Sequence, residues 1–372
     1  MVVIKGRLLL SLAALVFLLS ACSNPFYDRV RQLVDGPKAP GVAAPGSTQP
    51  LFLYSLGITG AGVDVFSLDP VTGALSHTST FGLPIPPGGM GIDSIGTLMF
   101  VTAPALNQVW GFTINPATGA LTTTGTPFST GTPGAIYVRK SNDAVYVAYP
   151  TSGTIQALTM AASGVLGYLL TVTAGSTPVA LVTDVSSRFL YAAAGGFVYG
   201  YTLTLAGMPV PMSSPFTGAA SPASITIDPT GSFLYESDHS TGMVKLWTIN
   251  SITGNLTFVN QYGLTGNPGK MAIDPSGKYL YIADSGANHV VMAPITAGTG
   301  ELSGFTVYNT GTLPIGVFVD PSGKYVCVAN SVSQNISVFS IDAATGLLTA
   351  VPGSPFATPT ADPEDILITG TH

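Results

Sequence analysis

The stretch PGKMAIDPSGKYLYIADSGANHVVMAPITAGTGELSGFTVYNTGTL, residues 268–313, reads as one complete structural unit. An apolar run from Pro268 ends in the turn Asp274-Pro275-Ser276-Gly277. A second run, Lys278 to Asp284, leads into a polar loop, a third begins at Val290, and Glu301 to Tyr308 supplies a fourth. Four short strands punctuated by Gly, Pro, Asp and Ser make one antiparallel sheet. Such a sheet cannot bury both of its faces alone, and the chain supplies copies for it to stack on. The opening proline recurs as Pro87, Pro133, Pro178, Pro222, Pro268, Pro314 and Pro363, at spacings of 46, 45, 44, 46, 46 and 49 residues. Strand-rich repeats of about 45 residues are propeller blades. The expected fold is therefore all-β, a seven-bladed β-propeller with four-stranded blades.

Two further features keep step with the proline. Six residues after it stand Asp93, Asp184, Asp228, Asp274 and Asp320, with Arg139 and Thr369 as exceptions. Asp suits a tight turn because its carboxylate accepts bonds from nearby backbone amides, so turn chemistry rather than a metal array explains the series. Thirteen residues after the proline stand Phe100, Tyr146, Tyr191, Tyr235, Tyr281 and Cys327, the position of a strand packed between neighbouring blades. Residues 51–86 hold only the last three strands of a unit, with Tyr54 in the aromatic's place, while the segment from Pro363 begins like a first strand and stops. The C-terminal strand is expected to join the N-terminal blade and close the ring, which removes a free sheet edge.

Residues 1–21 read as a signal peptide, with Lys5 and Arg7 ahead of the apolar run Leu8–Leu19. That run falls short of the roughly 20 residues of a bilayer span. Leu19-Ser20-Ala21-Cys22 resembles the bacterial lipobox, which implies cleavage after residue 21 and lipidation of Cys22. Ser23 is not the Asp that retains such proteins at the inner membrane, so a Gram-negative cell would hold it at the outer membrane or in the periplasm. Residues 22–50 carry Gly36-Pro37, Pro40-Gly41 and Pro45-Gly46 and read as a lipidated flexible tether to the propeller domain, 51–372. Membrane contact is expected through the anchor only.

Composition fits an exported β domain. Only 8% of residues are charged, and losing Lys5 and Arg7 takes the net charge from −6 to −8. The remaining cations are scattered singly, which argues against nucleic acid as a partner. The 44 glycines and 29 prolines fall at turns between strands instead of marking disorder. With Cys22 acylated, Cys327 has no intramolecular partner and, standing in an aromatic's slot, reads as a buried structural thiol. A monomer is expected.

Chemistry must come from loops that converge at one mouth of the central channel. The loop after each blade's second strand opens on the same face as the connector between blades, and polar residues there concentrate in two neighbouring blades. One blade supplies Glu236, Asp238 and His239; the next supplies Asp284, Asn288 and His289. Glu236 stands where other blades have Ser55, Val101, Val147, Ala192, Ile282 and Val328. Burial in such an apolar slot would raise its pKa toward a value useful in acid–base catalysis. Glu236 or Asp238 with His239 or His289 would form a base and an oxyanion-stabilising partner for lactone hydrolysis. Alternatively, Glu236, Asp238 and Asp284, supported by Asn288, offer hard oxygen ligands for Ca²⁺ or Mg²⁺. Asp238 and Asp284 also share the loop position of Asn330, which points to turn capping. No nucleophile elbow, phosphate loop or zinc spacing occurs.

Thr253-Gly254-Asn255-Leu256, Asp274-Pro275-Ser276-Gly277-Lys278-Tyr279-Leu280-Tyr281, Val326-Cys327-Val328-Ala329-Asn330 and Ser354-Pro355-Phe356 resemble the text of seven-bladed lactonase-type propellers. That group includes 6-phosphogluconolactonase-like and muconate-cyclase-like proteins and shades into surface propellers with Tyr-Val-Thr-Asn repeats. The resemblance covers residues 51–369 and implies the fold, with lactone chemistry by Arg, His and acidic side chains at one channel mouth. Two functions follow: a membrane-tethered propeller binding a protein, glycan or small-molecule ligand on one face, or a lactonase-like hydrolase.

Overall fold

The structure, a computed structural model, describes residues 50–213 and 215–370. The signal peptide, Cys22, the tether up to residue 49 and His372 lie outside the described residues. What is described is a ring of seven antiparallel sheets, with one short 3₁₀ turn at Pro104–Leu106. Blade five is typical: Pro222–Ile227 lies innermost, followed outward by Phe233–Asp238, Met243–Ile249 and Leu256–Gly263. In blade six the order is Pro268–Ile273, Tyr279–Asp284, His289–Pro294 and Thr306–Asn309.

The ring closes as the sequence predicts. Pro363–Ile368 pairs antiparallel with Leu51–Gly57 and becomes the innermost strand of blade one. It also packs between the innermost strands of blades seven and two, Pro314–Val319 and Gly89–Ile92, completing a continuous inner wall.

Every second strand is buried along its whole length or nearly so, because it is sandwiched between two sheets. Its aromatic residue does more than fill space. Tyr54, Tyr146, Tyr191, Tyr235 and Tyr281 each donate their hydroxyl to a glycine carbonyl in the next blade, at Gly119, Gly207, Gly254, Gly300 and Gly346, over 2.6–3.0 Å. These glycines have φ of +71° to +79° and sit in the turn between third and fourth strands, a backbone region that favours residues without a Cβ. The recurring aspartates behave as turn caps: Asp274 Oδ1 accepts from the amides of Lys278 and Tyr279 at 2.8 and 2.7 Å, and Asp320, Asp228, Asp184 and Asp93 repeat the pattern. At the exceptional blade, Arg139 turns its guanidinium to Asp143 and to the Ser187 carbonyl of the next blade instead.

Strand direction sorts the loops into two faces. The Asp turns occupy one, the turn face. The loops after the second strands and the connectors between blades occupy the other, since Pro222 pairs with Asp238 and Pro268 with Asp284 at that end.

The closing strand buries Ile366 and Ile368 almost completely. Losing two such side chains removes roughly 3–6 kcal/mol, a large part of the ~5–15 kcal/mol that holds a typical protein folded, and reopens a sheet edge. A chain ending at Asp362 should lose its cooperative thermal transition or unfold well over 10 °C lower in a calorimetric scan; an unchanged transition would contradict closure by this strand.

Candidate active site

Two places on the connector face gather ionisable side chains. The first lies in the seam between blades four and five. Strand pairing sets Glu236 directly across from Lys245 on one side and Ile225 on the other. Side-chain alternation then turns Glu236, Lys245 and Trp247 toward blade four, where Trp247 joins that seam's apolar cluster. The connector entering blade five, at Gly218 and Ala219, covers them. Glu236 is 0% exposed, and its carboxylate lies by the Ala219 amide and the Trp247 indole N–H without a well-formed hydrogen bond to either. Lys245 donates its ammonium to the Gly218 carbonyl. Any side chain at 218 would collide with the carboxylate, because a Cβ there would stand 2.7 Å from Glu236 Oε1.

Burial pushes the Glu236 carboxyl up to about 7, against the opposing pull of the Ala219 amide, the Lys245 charge and the Trp247 indole, while Asp238 adds to the rise. A cleft of about 430 Å³ opens above, lined by Gly196, Thr217, Gly218, Asp238, Lys245 and Gln261 among others. Glu236 itself lies behind that lining.

The second place is the channel mouth. Counting from the opening proline, the second following residue on the seven inner strands is Gly89, Ala135, Ala180, Ser224, Lys270, Gly316 and Asp365. Five of these are small, and the other two form an ion pair, Lys270 to Asp365, that reaches over the intervening Gly316 from blade six to blade one. One residue earlier, where the series runs Gly88, Gly134, Val179, Ala223, Gly269 and Ile315, blade one carries Glu364, which is exposed. Partial shielding of its carboxyl from water raises the Glu364 pKa; Lys270 lowers it, and Asp362 and Asp365 raise it further. The Lys270 side chain is 38% exposed. A cation and an accessible carboxylate of raised pKa thus share one mouth.

The residues singled out in the sequence divide differently from expectation. Asp238 accepts from the amides of Ala220, Ser221, Ser240 and Thr241. Burial alone would raise its pKa, but these bonds together with the Ser240 hydroxyl hold it below the usual carboxylate range. Asp284 caps the Asn267 amide at 2.7 Å, and Asn288, at φ +57°, accepts from the Leu313 amide. Both aspartates therefore fasten the connector that leads into their own blade. Among the described residues, no three His, Cys, Asp or Glu side chains are placed to hold a metal ion together. His239 is exposed and approaches blade six only through Asn267 Nδ2, at 3.5 Å. His289 shares its strand face with Val291, in the seam between blades five and six, so the imidazole and Glu236 occupy different seams. Cys327 is fully buried, and burial pushes its thiol pKa far up, which leaves it inert.

These features define a seven-bladed β-propeller. The family model described as lactonase, 7-bladed β-propeller, matches residues 199–309 and 268–361. No curated protein matches the sequence. Among solved structures, a putative 6-phosphogluconolactonase from Bacteroides uniformis superposes with a TM-score of 0.76 at 19% identity, covering 86% of this chain and 100% of its own. One from Bacteroides fragilis gives 0.75 at 18% identity, covering 87% and 99%. The periplasmic gluconolactonase of Pseudomonas aeruginosa gives 0.74 at 17%, covering 87% and 100%. At these identities the likeness is one of fold.

Glu236 carries a consequence for stability. Its carboxyl titrates near an ordinary 4.5 when unfolded and near 7 when folded, so folding is unpenalised below pH 4.5 and loses about 3 kcal/mol as pH rises through 7. Urea unfolding from pH 4.5 to 8 should show that decline superimposed on other titrations, and Glu236→Gln should remove it. An identical pH slope in the variant would show that the carboxylate is solvated or paired.

Proposed function

We propose that the protein is an exported lactone hydrolase whose site is the channel mouth on the connector face. The observation that carries this reading is the Lys270–Asp365 ion pair across the inner wall, with Glu364, the neighbour of Asp365 in the closing strand, within the reach of the Lys270 charge, in a lactonase-like fold. Lactone opening needs a base for water and a positive charge for the oxyanion. Glu364 takes a proton from water as the oxygen attacks the carbonyl carbon, and the resulting oxyanion lies against the Lys270 ammonium. The ring C–O bond then breaks, Glu364 returns the proton to the departing alkoxide, and a hydroxy acid leaves. Asp365 positions Lys270 through the ion pair.

The substrate class that fits is an unphosphorylated sugar lactone such as gluconolactone. A phosphate dianion would call for several free cations, whereas Lys270 is already shared with Asp365 and the arginines Arg139 and Arg188 lie at the Asp turns of the opposite face. Export rests on the leader and on the Leu19-Ser20-Ala21-Cys22 site, with the lipid at Cys22.

Acid release from a panel of sugar and aliphatic lactones tests the reading. Lys270→Met should lower kcat/KM by about 10²–10³-fold and Glu364→Gln by about 10²–10⁴-fold without shifting the thermal midpoint. The wild-type rate should rise with pH through the raised Glu364 pKa, because the base must be ionised. Full activity in both variants would remove the channel mouth from the chemistry.

A further inference from the structure

The hydrolase reading makes no use of the seam cleft between blades four and five, yet the cleft has the marks of a built site. It is an open cleft of about 430 Å³, mostly apolar in its lining, in which Thr217, Thr241 and Gln261 offer hydroxyl and amide groups and Lys245 forms part of the wall. Behind the wall sits Glu236, wholly buried with neither oxygen in a well-formed hydrogen bond. A buried carboxyl held only by imperfectly aligned donors is costly, and the other blades avoid it with Ser, Val, Ala or Ile at the same place.

Of the acceptors in the cleft, the Gly218 carbonyl is taken by Lys245, and Asp238 is engaged by the four backbone amides of Ala220, Ser221, Ser240 and Thr241. Of the donors, an ammonium has three N–H groups, and Lys245 spends one on Gly218. Lys245 therefore keeps N–H groups to spare at the cleft wall, which the carboxylate of a ligand would accept. Lys245 and Asp238 are the charged groups that act on Glu236. When Glu236 holds its proton, its charge no longer acts on Lys245, which can pair with an anion from the cleft; when Glu236 ionises, it competes with that anion.

We propose that this cleft binds a small hydroxylated carboxylate, its carboxylate on Lys245 and its hydroxyls on Thr217, Thr241 and Gln261. Binding takes up a proton at Glu236, so affinity strengthens as pH falls. The site is separate from the channel mouth and does not depend on hydrolysis there.

Titration calorimetry of the full chain with D-gluconate, using glucose as the uncharged control, tests this. Gluconate should bind about tenfold or more tightly at pH 5.5 than at pH 8.5, and glucose weakly at both. Lys245→Met should abolish binding and Lys245→Arg should retain it, while Lys270→Met leaves it intact. Glu236→Gln, neutral at every pH, should bind equally at both values. Should that variant fail to fold, the wild-type pH dependence and the Lys245 pair still decide. Binding that survives Lys245→Met, that disappears only in Lys270→Met, that glucose reproduces, or that does not change with pH would overturn the proposal. Loss of turnover in Lys270→Met with gluconate binding intact would separate this site from the hydrolase.

Discussion

The ring is held by a bond that each blade makes to the next. A tyrosine buried in the second strand has to place its hydroxyl somewhere, and a phenol left unsatisfied in the interior costs about 1–3 kcal/mol. In five seams the partner is the carbonyl of a glycine in the neighbouring blade's outer turn. Burial drives those phenols far above their ordinary pKa, which shows how fully the contact excludes water. The demand runs both ways, because the same turn must hold a glycine: at Gly346 a Cβ would fall 2.3 Å from the ring of Tyr279, and at Gly300 it would fall 2.5 Å from that of Phe233. Two residues of the second strand thus hold the turn of the next blade: the tyrosine bonds the glycine's carbonyl, and the aromatic two positions earlier leaves no room for a Cβ.

Two seams lack the bond and meet the same need by other means. Where Phe100 replaces tyrosine, the carbonyl of the turn glycine, Gly164, receives the hydroxyl of Thr124 at 3.3 Å. Where Cys327 replaces it, the ring of Tyr325, two residues earlier in the strand, covers the turn at Gly73. The last seam also has the chain's own closure, with Asp64 accepting the Thr360 amide from the connector that arrives from blade seven. Arg139 likewise departs from the Asp series and compensates through Ser187. The repeat thus tolerates substitution where another group can answer the same polar demand.

This explains why so much of the fold was legible in sequence. Proline, aspartate, tyrosine and glycine each answer a local backbone or burial requirement, and such requirements recur at fixed offsets along the chain. The closing strand was legible for the same reason, as a first strand without the remainder of its blade. The sites were legible only in part. Glu236 stood out because six other blades place Ser, Val, Ala or Ile there, but its partner Lys245 emerges only from the pairing of second and third strands. Lys270 and Asp365 are 95 positions apart, and they meet only because the ring closes with Gly316 between them. The aspartates at 238 and 284 take the capping role to which their loop position points. Loop carboxylates on one face suggest convergence, but the connectors carry free amides that need acceptors, and each aspartate is used locally.

The distribution of cations makes the connector face distinctive. Within the described residues there are seven: Arg139, Lys140, Arg188, Lys245, Lys270, Lys278 and Lys324. Five belong to the turns between first and second strands, on the turn face. Only Lys245 and Lys270 lie outside those turns, and both act on a carboxylate with a raised pKa, Glu236 and Glu364 respectively. In a chain with 8% charged residues, an ammonium drawn partly out of water beside an acid is costly to maintain, and solvation of the surface does not call for it. Neither pair is needed to close a seam, since the other blades fill the same positions with small, apolar or neutral polar side chains. These two departures of the propeller from its own repeat each set an ammonium near an acid of raised pKa, and both open on the face where the loops gather.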